Sequence, residues 1–142
     1  MVPSSPTPVS LDARALSRVA EVARRRGVDL VVLFGSVARG RAHARSDVDV
    51  AVRLRGGIIG GPALVDLPIE LAAALDVPEV DLVDLRTADP LLLRQVFDHA
   101  VVLFEDRGAF ASARLEAFHR YEDYRPYLRF ERDVVRHRLG LP

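Results

Sequence analysis

Apolar positions along this chain alternate between two periods. Leu11, Ala15, Val19, Val22 and Ala23 fall near helical spacing. Ser10 precedes them, arginines 24 to 26 fill the last turn and Gly27 follows, which predicts a helix capped by serine and closed by glycine. Val28 to Phe34 is then almost continuously apolar and predicts a strand that stops at Gly35-Ser36. A short helix is expected after that turn, ending by Gly40, and a second strand from about Asp47 to Leu54. The glycine-rich run at 55–61 breaks the pattern, as a mobile flap or a plain connector. Pro62 opens a helix to Leu75, and Glu79 to Leu85 forms a third strand. Asp89 before Pro90 is a cap with proline at the first helical position, starting a helix to about His99. Ala100 to Phe104 is strand four. Arg107 to Leu139 is helical in pattern, with Pro126 expected to kink or break it. Helices alternating with short strands predict an α+β or α/β domain. The chain divides into a flexible segment at 1–9, a core at 10–105 and a helical tail at 106–142.

Chemistry concentrates between residues 28 and 54. Ten residues after Gly35-Ser36 comes Asp47-Val48-Asp49, at the head of the second strand. Alternation along a strand puts Asp47 and Asp49 on one face and sends Val48, Val50 and Val52 into a core. Asp81 lies mid-strand in the third strand, with a buried look. If that strand pairs beside the second, Asp81 completes a cluster of three carboxylates. Such a cluster is strongly self-repelling without a counter-ion. Hard oxygen ligands suit Mg²⁺, and two ions roughly 4 Å apart can clamp an in-line displacement at phosphorus. Asp47 and Asp49 are then the metal ligands, while Asp81 holds the catalytic ion and helps deprotonate the attacking hydroxyl. Gly35 lets backbone approach, and the Ser36 hydroxyl and neighbouring amides can bind the β- and γ-phosphates. Each motif alone is an ordinary turn or a solvated strand edge; their joint spacing points to phosphoryl or nucleotidyl transfer. Arg39 is a candidate phosphate contact and Arg41 a weaker one, His43 reads as an exposed loop residue, and Asp84 should point to the opposite face as a structural acid.

Composition narrows the field. The 142 residues make one domain with a core of its own, 49% hydrophobic. Twenty basic residues balance 20 acidic ones, which argues against a DNA-binding footprint. All the basic residues are arginine, which excludes a Walker-type phosphate loop and Schiff-base chemistry. The absence of cysteine excludes disulfides, thiolate metal sites and thiol nucleophiles. No run reaches membrane-spanning length, and MVPSSPTPV lacks the regions of a signal peptide, so a cytoplasmic protein is expected.

LFGSVARGRAHARSDVDVAV, with a later single Asp on a strand, resembles the core motif of the polymerase-β-like nucleotidyltransferase superfamily, above all its minimal (MNT) members. The resemblance implies a small mixed sheet with flanking helices, Mg²⁺ and a nucleoside triphosphate, with ATP expected. By position it assigns the catalytic carboxylates to Asp47, Asp49 and Asp81. Proteins of this size are similar to the antitoxin halves of HEPN–MNT toxin–antitoxin pairs. The implied reaction is transfer of AMP from ATP to a tyrosine of a HEPN ribonuclease toxin. Nucleotidylation of a small molecule such as an aminoglycoside, and inhibition of a toxin by binding alone, are the alternatives.

Fewer than forty residues follow strand four, so the acceptor must come from an improvised site, a second copy or a protein partner. Phe118, Tyr121, Tyr124, Tyr127 and Phe130 recur every three residues amid arginines, a composition that protein interfaces favour. The tail is therefore expected to contact a HEPN-type partner or a second copy, with Phe118 packing back on the sheet. Arg114, His119 and Tyr121 match the R-x4-H-x-Y motif of HEPN toxins, but the tail is too short for their bundle, and the match reads as coincidence.

Overall fold

The structure, a computed structural model, describes residues 9–38 and 48–142. The elements run α1 (Ala13–Arg26), β1 (Val28–Phe34), α2 (Gly35–Ala38), β2 (Val48–Leu54), α3 (Ala63–Leu75), β3 (Val80–Asp84), α4 (Pro90–Asp98), β4 (Val101–Glu105) and α5 (Ala109–Arg138). The strands form one mixed sheet in the order β3-β2-β1-β4. β1 pairs antiparallel with β2 and with β4, whereas β2 and β3 are parallel.

Both faces of the sheet are covered. On one, Val19, Val22 and Ala23 of α1 and Leu67, Leu71 and Leu75 of α3 pack on Val31, Leu33, Val48, Val50 and Val52. On the other, Leu93 and Val96 of α4 and Ala109, Ala113 and Ala117 of α5 pack on Leu30, Val32, Phe34 and Ala51. Small residues on α5 let its backbone lie close to the sheet. The three β2 valines thus occupy the α1/α3 side, as alternation requires, leaving the α4/α5 side to Asp49, Ala51 and Arg53.

Among the polar contacts that fasten this frame are two inter-element ion pairs. Arg53, 8% exposed, donates from Nε and Nη2 to the two carboxylate oxygens of Asp29, at 3.0 and 3.1 Å. This fork joins β1 to β2 beneath α5, whose Ser112 hydroxyl lies 3.5 Å from the same guanidinium. On the opposite face Arg26 of α1 grips Glu70 of α3 through two bonds of 2.9 and 2.7 Å. The bond from Arg26 holds the Glu70 carboxyl below the usual carboxylate range; the nearby charges of Arg26 and Arg25 act in the same direction, and burial opposes them.

Three expectations need correction. The cap of α1 is Asp12, whose carboxylate accepts from the Ala15 amide at 2.8 Å; Ser10 lies outside the helix. Both residue types cap well, and the geometry favours the one three residues before the bonded amide. Val9, placed in the flexible lead-in, is buried in the α1/α3 core, while residues 1–8 lie outside the described residues. Pro126 does not break the tail: α5 is one helix of 30 residues. Proline removes one helical hydrogen bond, and at this exposed position water can satisfy the carbonyl left over. The glycine run at 55–61 is anchored, because Ile59 is buried and its amide donates to Asp84 at 2.8 Å. Asp84 also accepts from the Arg86 amide at 2.9 Å, the structural role expected of it. Among the described residues no helix is long and apolar enough to cross a membrane.

Candidate active site

β1 ends against the start of β2, with Phe34 opposite Asp49 in the antiparallel register. The next residue, Gly35, turns the chain with φ of +76°. Its Cα faces the Asp49 carboxylate so closely that a Cβ would collide with Oδ2 and stand 3.1 Å from Cγ. Only glycine satisfies both the positive φ and that approach. Ser36 follows in the first turn of α2, and buried Val37 anchors this short helix in the α1/α3 core.

The parallel register of β2 and β3 pairs Asp49 with Asp81. Residues paired this way project on the same side of the sheet, so the two carboxylates stand side by side. They open into a cleft of about 430 Å³ together with Phe34, Gly35 and Val83. The α4 wall of the cleft is Leu92 and Gln95. Asp49 is half-buried, whereas Asp81 is exposed near the start of β3. The buried, mid-strand position expected for Asp81 is thus corrected, and the reason is topological: β3 is an edge strand, with a neighbour on one side only.

The structure therefore brings together Gly35, Asp49 and Asp81, with Ser36 adjoining. Asp47 and Arg39, and with them Arg41 and His43, lie outside the described residues. Among the described residues no group of three or more acidic, histidine or cysteine side chains is placed to hold a metal ion. Two adjacent carboxylates beside a glycine that leaves room for backbone approach are nevertheless the donor set a hard divalent cation takes. The residues present fit Mg²⁺.

Phe34, Leu92 and Gln95 escaped the sequence reading. Leu92 and Gln95 share a face of α4 by their three-residue spacing, and Gln95 is the chain's only glutamine in a sequence without asparagine. That singularity was the available signal. A larger groove, about 530 Å³, runs between α4 and α5 and is lined by Arg94, Phe97, Arg114, Phe118, Tyr121 and Arg125, among others. It contains neither Asp49 nor Asp81. There Arg94 stacks on the Tyr121 ring at 4.7 Å and bonds to its hydroxyl. Phe118, expected on the sheet, is 58% exposed, because α5 turns its alanines to the core instead.

A family model described as polymerase beta, nucleotidyltransferase matches residues 18–108. Among curated proteins, the protein adenylyltransferase MntA of Shewanella oneidensis is 45% identical over 69 residues. That match covers 49% of this chain and 48% of the relative, so the chain aligns with about half the length of that protein. A crystal structure of a toxin–antitoxin with AMP-PNP contains a chain that superposes with a TM-score of 0.68 at 28% identity, covering 88% of this chain and 98% of that one. A second solved structure is tri-AMPylated Shewanella oneidensis HEPN toxin in complex with MNT antitoxin. Its matching chain has a TM-score of 0.63 at 26% identity, with 89% of this chain and 96% of that one covered.

Proposed function

The chain belongs to the polymerase beta nucleotidyltransferase family, and on that footing we propose that it is an antitoxin that transfers AMP from ATP to a tyrosine of a HEPN-type toxin. The observation that carries this reading is the Asp49–Asp81 pair in register at the mouth of the Gly35 turn. The relatives that share its fold, an adenylyltransferase and the chains in the toxin–antitoxin structures, support the choice of nucleotide and acceptor.

Each residue then has a task. The Gly35-Ser36 turn and Arg39 bind the β- and γ-phosphates. Asp47, Asp49 and Asp81 would hold Mg²⁺, two ions for a full site, which supply charge neutralisation at the triphosphate and at the attacking oxygen. Asp81, on the open edge, receives the proton of the acceptor tyrosine as its oxygen attacks the α-phosphorus. The new P–O bond joins AMP to the tyrosine while the bond to the β-phosphate breaks and pyrophosphate leaves. The aromatic, arginine-rich face of α5 supplies the contact with the toxin: Tyr127 and Phe130 are 66% and 69% exposed.

The test is the intact mass of a HEPN-type toxin co-expressed with this chain. Wild type should add one or more AMP units, and the Asp47→Asn/Asp49→Asn double variant none. An unchanged mass in a complex that still forms would replace catalysis with inhibition by contact.

A further inference from the structure

Gln95 stands on the α4 wall of the candidate site. Its side chain lines the same cleft as Asp49 and Asp81, and it is exposed, with no hydrogen-bond partner among the described residues. It has a carboxamide, and this chain has no other carboxamide side chain. The cleft's remaining side chains divide into two classes. Asp49 and Asp81 are acceptors suited to cations, and Phe34, Val83 and Leu92 form an apolar surface suited to a flat heteroaromatic ring. Leu92 and Gln95, three residues apart on α4, put an apolar shelf and a paired donor and acceptor on one helix face. Buried Leu93 and Val96, each one position further on, anchor α4 on the sheet and so set the direction in which the Leu92/Gln95 face looks.

We propose that Gln95 is the base-selecting residue, recognising adenine through its N6/N7 edge; this rests on the nucleotidyl-transfer reading above. The carboxamide NH₂ donates to N7 while its oxygen accepts from the N6 amine, the bidentate pairing that glutamine makes with adenine. Guanine presents two acceptors on that edge, N7 and O6, so the carboxamide oxygen would face O6 with no proton between them. Discrimination follows from a mismatch of acceptors as much as from the bonds formed.

The experiment titrates the full-length protein with AMP-PNP, GMP-PNP, ATP and 7-deaza-ATP by calorimetry, in Mg²⁺ and without any acceptor. Wild type should bind AMP-PNP about five- to 150-fold tighter than GMP-PNP, the range for one bidentate contact. It should also bind ATP tighter than 7-deaza-ATP, which lacks the N7 acceptor. Gln95→Ala should bring both ratios toward one while AMP-PNP binding persists. Alanine is well tolerated at an exposed helix position, and a thermal melt checks the fold. Gln95→Glu, which keeps the acceptor and loses the donor, should abolish the N7 dependence. An unchanged AMP-PNP to GMP-PNP ratio in Gln95→Ala overturns the assignment, as does equal loss of both nucleotides, which would mark a ribose or phosphate contact. Failure of the wild type to bind any of the four would remove the nucleotidyl-transfer reading itself.

Discussion

Gly35 is the position where a single methyl group does most damage. A Cβ there collides with the Asp49 carboxylate, and the backbone already holds φ of +76°. Gly35→Ala should therefore cost about 1–3 kcal/mol of stability, the scale of overpacking, read from urea unfolding. Its effect on AMP transfer should exceed its effect on folding, because Asp49 must move. At the carboxylates the expectation is opposite in kind. Asp49→Asn or Asp81→Asn preserves volume, so the fold should remain while transfer falls by roughly two orders of magnitude, the scale of losing one preorganised electrostatic group. Single-turnover labelling of the toxin with radiolabelled ATP measures this; near-normal rates in either variant would remove that residue from the machinery. These residues were legible in the sequence because strand alternation and glycine's conformational freedom are local properties. Gln95 was not, since nothing in α4 alone shows that its exposed face meets the ends of β2 and β3.

Between elements, two ion pairs behave differently. The Arg53–Asp29 fork is largely enclosed beneath α5, and truncating Arg53 leaves Asp29 without its counter-ion. Arg53→Ala should destabilise by about 3 kcal/mol, the low end for breaking a buried pair since both side chains retain some solvent contact. The Arg26–Glu70 clamp between α1 and α3 is more open and should act through pH. Glu70's folded pKa lies below its unfolded value, so its contribution is fully present above the ordinary glutamate range. It is lost as pH falls through the depressed folded value. Thermal melts from pH 6 down to pH 3 should show this fall, and Glu70→Gln should flatten it. Neither pair was visible in the sequence, because each joins residues far apart in the chain. Among the expected caps, Gly27 does close α1 and Asp89 does open α4; at the start of α1 two good capping residues stand two positions apart, and proximity to the Ala15 amide decides for Asp12.

For the molecule as a whole, α5 divides into a half that builds the core and a half that faces outward. Ala109, Ala113 and Ala117 are buried, while Tyr127, Phe130 and Val135 are exposed. Replacing Tyr127 and Phe130 together with aspartate should leave the melting temperature and nucleotide binding near wild type and weaken toxin binding at least about tenfold, as loss of aromatic interface anchors does. Size-exclusion and calorimetric titration against the toxin check it; undiminished affinity would move the contact elsewhere. Composition points to exposed aromatics in the tail, but Phe118, expected on the sheet, is exposed as well, because the alanine stripe of α5 is what meets the sheet.

The strand order places Asp81 on the rim of the sheet, and this has a kinetic corollary. A reaction centre at a rim can be reached by a hydroxyl carried on a bulky folded acceptor, with no tunnel to negotiate. The same geometry leaves a bound triphosphate beside bulk water, a competing nucleophile present at enormous excess. Without an acceptor the protein should therefore leak, splitting ATP slowly into AMP and pyrophosphate. A pyrophosphate-release assay should register that leak in the isolated chain, and docking of the toxin should suppress it by displacing the water.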